Sequence, residues 1–200
     1  MSRLGRREAH PGRGGVEGEV ILRAFLQIDA LRPVTRGISA ILSGPVHMPF
    51  DHLLERRQVV PQPRSAVAAF FERPENLERL TPTSLSFCLL SPSPVPMQVG
   101  TTIDYRIRLR GLPMDWRSRI DEYEPGVRFV DVQERGPYAI WRHLHEFEDV
   151  PEGTEIRDHI DYRLPLGPLG ELAHAVFVRS ELERIFDYRA HVVAALFEAA

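Results

Sequence analysis

The chain has 200 residues, 43% of them hydrophobic and 26% charged, and a formal net charge of −3. That length and balance suit one well-cored domain with an appended arm and exclude wholesale disorder, and the slight acidity leaves no electrostatic footprint for nucleic acid. The single cysteine, Cys88, excludes an internal disulfide and a cysteine-rich zinc site, and no apolar run reaches membrane-spanning length. Every basic side chain is Arg, interleaved with Asp and Glu, which reads as compositional bias rather than phosphate recognition. Arg3, Arg6 and Arg7 precede an apolar piece at Val20 that Arg23 and Asp29 interrupt, so no secretory signal is expected and the expected address is the cytoplasm.

Residues 1–15 are rich in Gly, Arg and Pro and read as a disordered lead-in. Residues 16–31 predict a modest amphipathic helix with Leu22, Phe25, Leu26 and Ile28 on its apolar side, and 32–47 return to Pro, Gly and Ser. One reading makes 1–47 an over-extended start, with Met48 as the initiator. The other makes it an arm that touches a membrane or a partner. The domain proper is expected over 48–200.

Within it, His52–Val60 predicts an opening strand stopped by Pro61, and Arg64–Phe71 a short helix. A second short helix is expected over Pro74–Leu80, with Pro74 suited to a first turn and Pro82 closing it. The period then changes to two: Leu85, Phe87 and Leu89 alternate with Ser84, Ser86 and Cys88. After a Pro-rich link, Ile103, Tyr105, Ile107 and Leu109 alternate with Asp104, Arg106 and Arg108, a half-buried strand. Strands follow over Asp115–Glu124, Arg128–Arg135, Tyr138–Glu148 and Thr154–Leu164, separated by turns at Gly111–Pro113, Pro125–Gly126, Gly136–Pro137 and Pro151–Gly153. Links this short join antiparallel neighbours, because a parallel crossover needs a dozen residues or more. From Pro168 to Phe197, Leu172, Val176, Leu182, Phe186, Val193 and Leu196 fall on one helical stripe, so a helix of about thirty residues, roughly 45 Å long, is expected to lie across the sheet. The layout is α+β, with helix segregated to one face of a curved antiparallel sheet of about seven strands.

That order, with FFERPENLERLTP (70–82), GTTIDYRIRLRGLPMDWRSRI (100–120), RFVDVQERGPYAIWRHLHEF (128–147), RDHIDYRLPLGPLG (157–170) and ERIFDYR (183–189), resembles the START-like helix-grip superfamily. More narrowly it resembles the bacterial SRPBCC group of polyketide cyclases, dehydrases and lipid-transport proteins. The resemblance covers 50–198 and implies a ligand cavity between the sheet and the terminal helix. Members of the superfamily share that cavity rather than one chemistry.

Strand alternation says what would line it. Trp141, His143, His145 and Phe147 share one face, as do Phe129, Asp131 and Gln133 on one neighbouring strand and Ile156, Asp158, Ile160 and Tyr162 on the other. Aligning the hairpins about their turns puts Asp131 opposite His143, and His145 opposite Asp158. Such His–carboxylate pairs tie strands together, orient a ligand, or move a proton; on the last reading His143, His145, Asp131 and Asp158 are the catalytic candidates. Tyr105, Trp116, Phe129, Gln133, Trp141, His143, His145, Tyr162, Val176 and Phe186 are the expected ligand-contacting residues. His143, His145 and Asp158 would also make a two-His, one-carboxylate metal set, but nothing in the sequence requires a metal, and no cofactor is expected. There is no Gly-rich phosphate loop and no Gly-x-Ser-x-Gly elbow. The expected function is binding of a small hydrophobic or amphipathic molecule by a monomer or homodimer without stable membrane insertion. The alternatives are a polyketide-type cyclase or dehydratase, a lipid or quinone carrier, and a partner-binding protein without a dedicated ligand.

Overall fold

The structure is a computed structural model that describes residues 51–198. The arm over 1–47, its amphipathic stretch and the alternative initiator Met48 lie outside the described residues.

Strand β1 (His52–Val60) ends at Pro61, which has no N–H to continue a ladder. Helix α1 (Arg64–Phe71) buries Val67, Ala68 and Phe71, the one-sided spacing of a helix laid on a core. A 3₁₀ turn at Pro74–Asn76 leads into the single-turn helix α2 (Leu77–Leu80). The alternation over 84–89 does not give the expected strand. Thr83–Leu85 is a 3₁₀ turn, Ser86 takes a left-handed conformation, and only Cys88–Leu89 pairs, as β2. The kink at Ser86 interrupts the extended run on one side, and Pro92 and Pro94 remove donors on the other.

Five long strands follow: β3 (Thr102–Leu109), β4 (Leu112–Glu124), β5 (Arg128–Arg135), β6 (Ile140–Val150) and β7 (Gly153–Arg163). Arg110 and Gly111, at φ 50° and 82°, supply the two left-handed residues that a tight primed hairpin turn demands, so β4 begins three residues earlier than expected. The seven strands form one antiparallel sheet in the order β1-β7-β6-β5-β4-β3-β2. The first strand therefore lies beside the last, and the segment bearing α1 and α2 carries the chain to the opposite edge. Two register shifts against β5, at Arg117/Ser118 and Ile120/Glu122, bend β4. Buried and less buried residues alternate along β7 from Thr154 to Arg163, the signature of a sheet with one covered face.

The cover is the C-terminal helix: α3 (Pro168–Ala173), a π turn (His174–Val178) and α4 (Arg179–Glu198). A Cβ on Gly170 would lie 2.3 Å from the Pro165 carbonyl oxygen, so only glycine lets α3 close onto the loop before it. The π turn accommodates one more residue than an α turn and changes the expected phase. Ala173, Val178, Leu182, Phe186, Val193 and Phe197 are buried, whereas Leu172 and Val176 are 50% and 59% exposed.

The core has two apolar clusters. One gathers Val67, Phe71, Ile120, Phe129, Phe147 and Ile156 under Val193 and Phe197. The other gathers Trp116, Tyr138, Ile160, Tyr162 and Leu164 under Val178, Leu182 and Phe186. The helix phase is testable by chemical denaturation. Leu182→Ala is expected to cost about 2–5 kcal/mol, and Leu172→Ala to stay within about 0.5 kcal/mol. Comparable losses from the two would contradict this phase.

Candidate functional site

Between the two clusters, each element contributes one or two polar residues. On β4 Ser118 falls between Trp116 and Ile120, and on β7 Asp158 falls between Ile156 and Ile160. On β6 His143 and His145 fall between Trp141 and Phe147, and on α4 Arg189 falls between Phe186 and Val193. Asp131 follows Phe129 on β5. Together they form a polar belt across an apolar interior, beside a cavity of about 220 Å³ between sheet and helix.

The strand register matches the expected one: Asp131 pairs with His143, and His145 with Asp158. His145 Nδ1 lies 3.1 Å from Asp158 Oδ1 directly across the strands, and hydrogen bonds also run along the diagonals. His143 Nε2 donates to Asp158 Oδ1 at 2.9 Å, and His145 Nε2 donates to Asp131 Oδ2 at 3.2 Å. Diagonal neighbours on one sheet face lie within reach of long side chains, and the residue directly across from His145, Phe129, stacks on its ring with centroids 4.1 Å apart. The two imidazoles lie against each other, centroids 3.7 Å apart. Asp131 Oδ1 accepts from the Ser118 hydroxyl at 3.1 Å, which in turn accepts the Trp116 indole N–H at 3.1 Å.

Arg189 completes the belt. Its Nη2 lies 3.3 Å from both Asp158 Oδ1 and His145 Nδ1, and its guanidinium stands over the Phe71 and Phe186 rings at 5.0 and 5.6 Å. Sequence reasoning missed this residue. The available signal was a charge three residues after Phe186 and four before Val193, in the middle of the apolar stripe.

Of the expected contacts, Tyr105, Trp116, Phe129, Trp141, His143, His145 and Phe186 line the cavity, as does Asp131. Asp158 does not; it lies buried behind the imidazoles. Three others lie outside the cavity lining. Gln133 spends its amide on the Tyr138 backbone, donating to the carbonyl at 2.8 Å and accepting from the N–H at 3.3 Å. Tyr162 is hydrogen-bonded to His174 Nε2 through its hydroxyl at 2.8 Å and belongs to the apolar cluster beside the cavity. Val176 faces outward because of the π turn.

Neither a protein-family model nor a curated protein matches the chain. Solved structures do. A protein from Chromobacterium violaceum is 16% identical, with a TM-score of 0.58 over 74% of this chain and 98% of its own. Ginseng major latex-like protein 151, from Panax ginseng, is 12% identical, with a TM-score of 0.56 and the same coverage. A nucleoside-diphosphate sugar epimerase from Corynebacterium glutamicum is 26% identical with a TM-score of 0.52 over 71% of this chain, but over only 28% of its own. The chain has the helix-grip fold. These likenesses carry architecture; the epimerase match spans too little of that enzyme to bring its activity with it.

Burial and mutual charge set the protonation of the belt. Burial, and then the charge of His145, push His143 down to about 4 against the pull of Asp158 and Asp131, so His143 is neutral at pH 7. Burial alone would raise the Asp158 carboxyl, but the Arg189 charge and the bonds from both imidazoles hold it well below the usual carboxylate range. Burial opposes ionisation of Asp131 too, and is outweighed by the His145 hydrogen bond, the electrostatic pull of the neighbouring imidazoles and the Ser118 hydrogen bond. His143 Nε2–H is committed to Asp158, which leaves Nδ1 unprotonated, 3.8 Å from Asp131 Oδ2 and beyond hydrogen-bonding distance. That atom belongs to a residue lining the cavity.

Because the folded chain takes up the His143 proton only near pH 4 while the unfolded chain takes it up near 6.5, stability is full above pH 6.5 and falls as pH drops through that window. The loss is about 3 kcal/mol. Urea unfolding between pH 7 and pH 4.5 should show this slope, and His143→Gln should flatten it. An unchanged slope in the variant would contradict a neutral buried His143.

Proposed function

We propose that the protein binds a compact, largely apolar molecule with one polar end, seated between sheet and helix. One observation carries this reading: mostly aromatic and aliphatic walls meet a convergent polar cluster of Asp131, His143, His145 and Arg189, with Arg73, Asn76, Thr81 and Glu181 elsewhere in the lining. Ligand sites commonly combine apolar walls with a few convergent polar groups that set orientation. A cavity of about 150 Å³ accommodates benzene, so about 220 Å³ suits a molecule of one or two rings. That size favours a compact ligand over a long-tailed lipid or quinone. Among the described residues no helix is long and apolar enough to cross a membrane. The resemblance to the SRPBCC group, with its lipid-transport members, supports cavity binding as the shared theme.

A second reading, a polyketide-type cyclase or dehydratase, draws on the unprotonated Nδ1 of His143. A neutral imidazole with its other nitrogen held by a carboxylate is suited to accept a proton from a bound substrate. On this reading His143→Gln with His145→Gln abolishes cyclisation of an aromatic poly-β-ketone thioester while leaving its binding in place. Equal turnover by the double variant would end it.

The binding reading is tested with 1-naphthol, whose two rings and hydroxyl match the cavity's size and polarity. Titration should quench Trp116 and Trp141, both in the cavity wall, with 1:1 saturation. Ile107→Trp, which fills the cavity from β3, should weaken binding at least tenfold, and Arg108→Trp on the exposed face of β3 should not. Equal affinity in the two variants would place naphthol elsewhere and overturn the reading.

A further inference from the structure

The polar belt contains two carboxylates and one permanent cation. Arg189 serves Asp158. On Asp131, by contrast, the ion-pair partners among the described residues are the two imidazoles alone. A largely enclosed carboxylate, 16% exposed, opposite two imidazoles and with no fixed positive charge of its own, is a place where a cation would be held.

The geometry points to a divalent first-row transition-metal site formed by Asp131 Oδ2, His143 Nδ1 and His145 Nε2. One donor atom from each of the three residues lies within 4.8 Å of the others. Metal–nitrogen and metal–oxygen bonds of about 2.0–2.2 Å put neighbouring donors of a tetrahedral site about 3.3–3.6 Å apart. The two separations from Asp131 Oδ2, 3.2 Å to His145 Nε2 and 3.8 Å to His143 Nδ1, bracket that range. The carboxylate is Asp131 rather than Asp158, whose side of the imidazole pair already has Arg189 as its cation.

The outer shell is what makes this more than a chance cluster. Each histidine directs its remaining nitrogen to the same atom, Asp158 Oδ1, at 2.9 Å from His143 and 3.1 Å from His145. Asp131 has its other oxygen held by Ser118, itself fixed by the Trp116 indole. Ligating imidazoles typically have the second nitrogen held by a carboxylate, which sets tautomer and orientation. Here all three side chains are positioned in that way, and metal binding would displace the proton that His145 Nε2 shares with Asp131 Oδ2. Two nitrogens and one oxygen suit Zn²⁺, Fe²⁺ or Co²⁺ over Ca²⁺ or Mg²⁺, and leave coordination positions facing the cavity for a ligand's oxygen. The inference concerns the cavity of the proposed function but does not depend on it, since a metal titration and a naphthol titration succeed or fail separately.

The test is Co²⁺ titration of the full chain after chelator treatment, read by visible d–d absorption and by calorimetry. A 1:1 complex is expected. His143→Gln and Asp131→Asn should each weaken it at least 100-fold, and Asp158→Asn, which alters the outer shell and also removes the carboxylate charge opposite Arg189, 10- to 100-fold. A second group, His52, Glu171 and His174, also brings donor atoms within 4.8 Å of one another, so His52→Gln is the internal control. Binding that survives His52→Gln supports the buried site, and remains the deciding result should the cavity variants fail to fold. Loss of the complex in His52→Gln, or no saturable binding to the unsubstituted chain, would overturn it.

Discussion

The ion pair between Arg189 and Asp158 is the contact on which the rest of the interior depends. It joins the middle of the long helix to the middle of the covered sheet face, with both side chains about nine-tenths buried. Burying these charges is costly, and removing either partner strands the other, at about 3–5 kcal/mol. The pair therefore fixes which turn of α4 faces which residue of β7. Hydrophobic packing alone specifies such a register weakly, because Phe186, Val193 and Phe197 are similar knobs at similar spacing.

From that pair the remaining geometry follows outward. Asp158 holds both imidazoles by their far nitrogens, the imidazoles turn their near nitrogens toward Asp131, and Asp131 is held from behind by Ser118. Apolar clusters close the interior at both ends. Between them lies a cavity with the polar belt at its side. Most of the wall is aromatic or aliphatic. The proposals of ligand orientation, proton transfer and metal binding all rest on this arrangement.

Much of this was legible in the sequence. Period-two alternation from Ile103 onward and the short turns between strands were sufficient for the antiparallel order, and the hairpin turns set a register that places Asp131 across from His143 and His145 across from Asp158. Four features were not legible. The left-handed Ser86 has no Gly or Asn to announce it, so the alternation around it read as a longer strand. The π turn leaves no periodic mark of its own and displaces Leu172 and Val176 from the apolar face. Gln133 and Tyr162 lie on the correct strand face, but face alone does not say that a side chain will be spent on local hydrogen bonds. The diagonal pairing depends on side-chain rotamers, which registers do not contain. Arg189 was legible in principle, as a charge set within an apolar stripe.

Long-range ¹H–¹⁵N NMR of the histidine rings at pH 7 tests the central claim most directly, because it reads the protonation of each ring nitrogen. His143 should be neutral with its proton on Nε2 and with Nδ1 unprotonated, and the Nδ1 resonance should move when 1-naphthol or Zn²⁺ is added. A proton on His143 Nδ1, or an Nδ1 resonance indifferent to both additions, would contradict an imidazole held from behind by Asp158 and presented to the cavity.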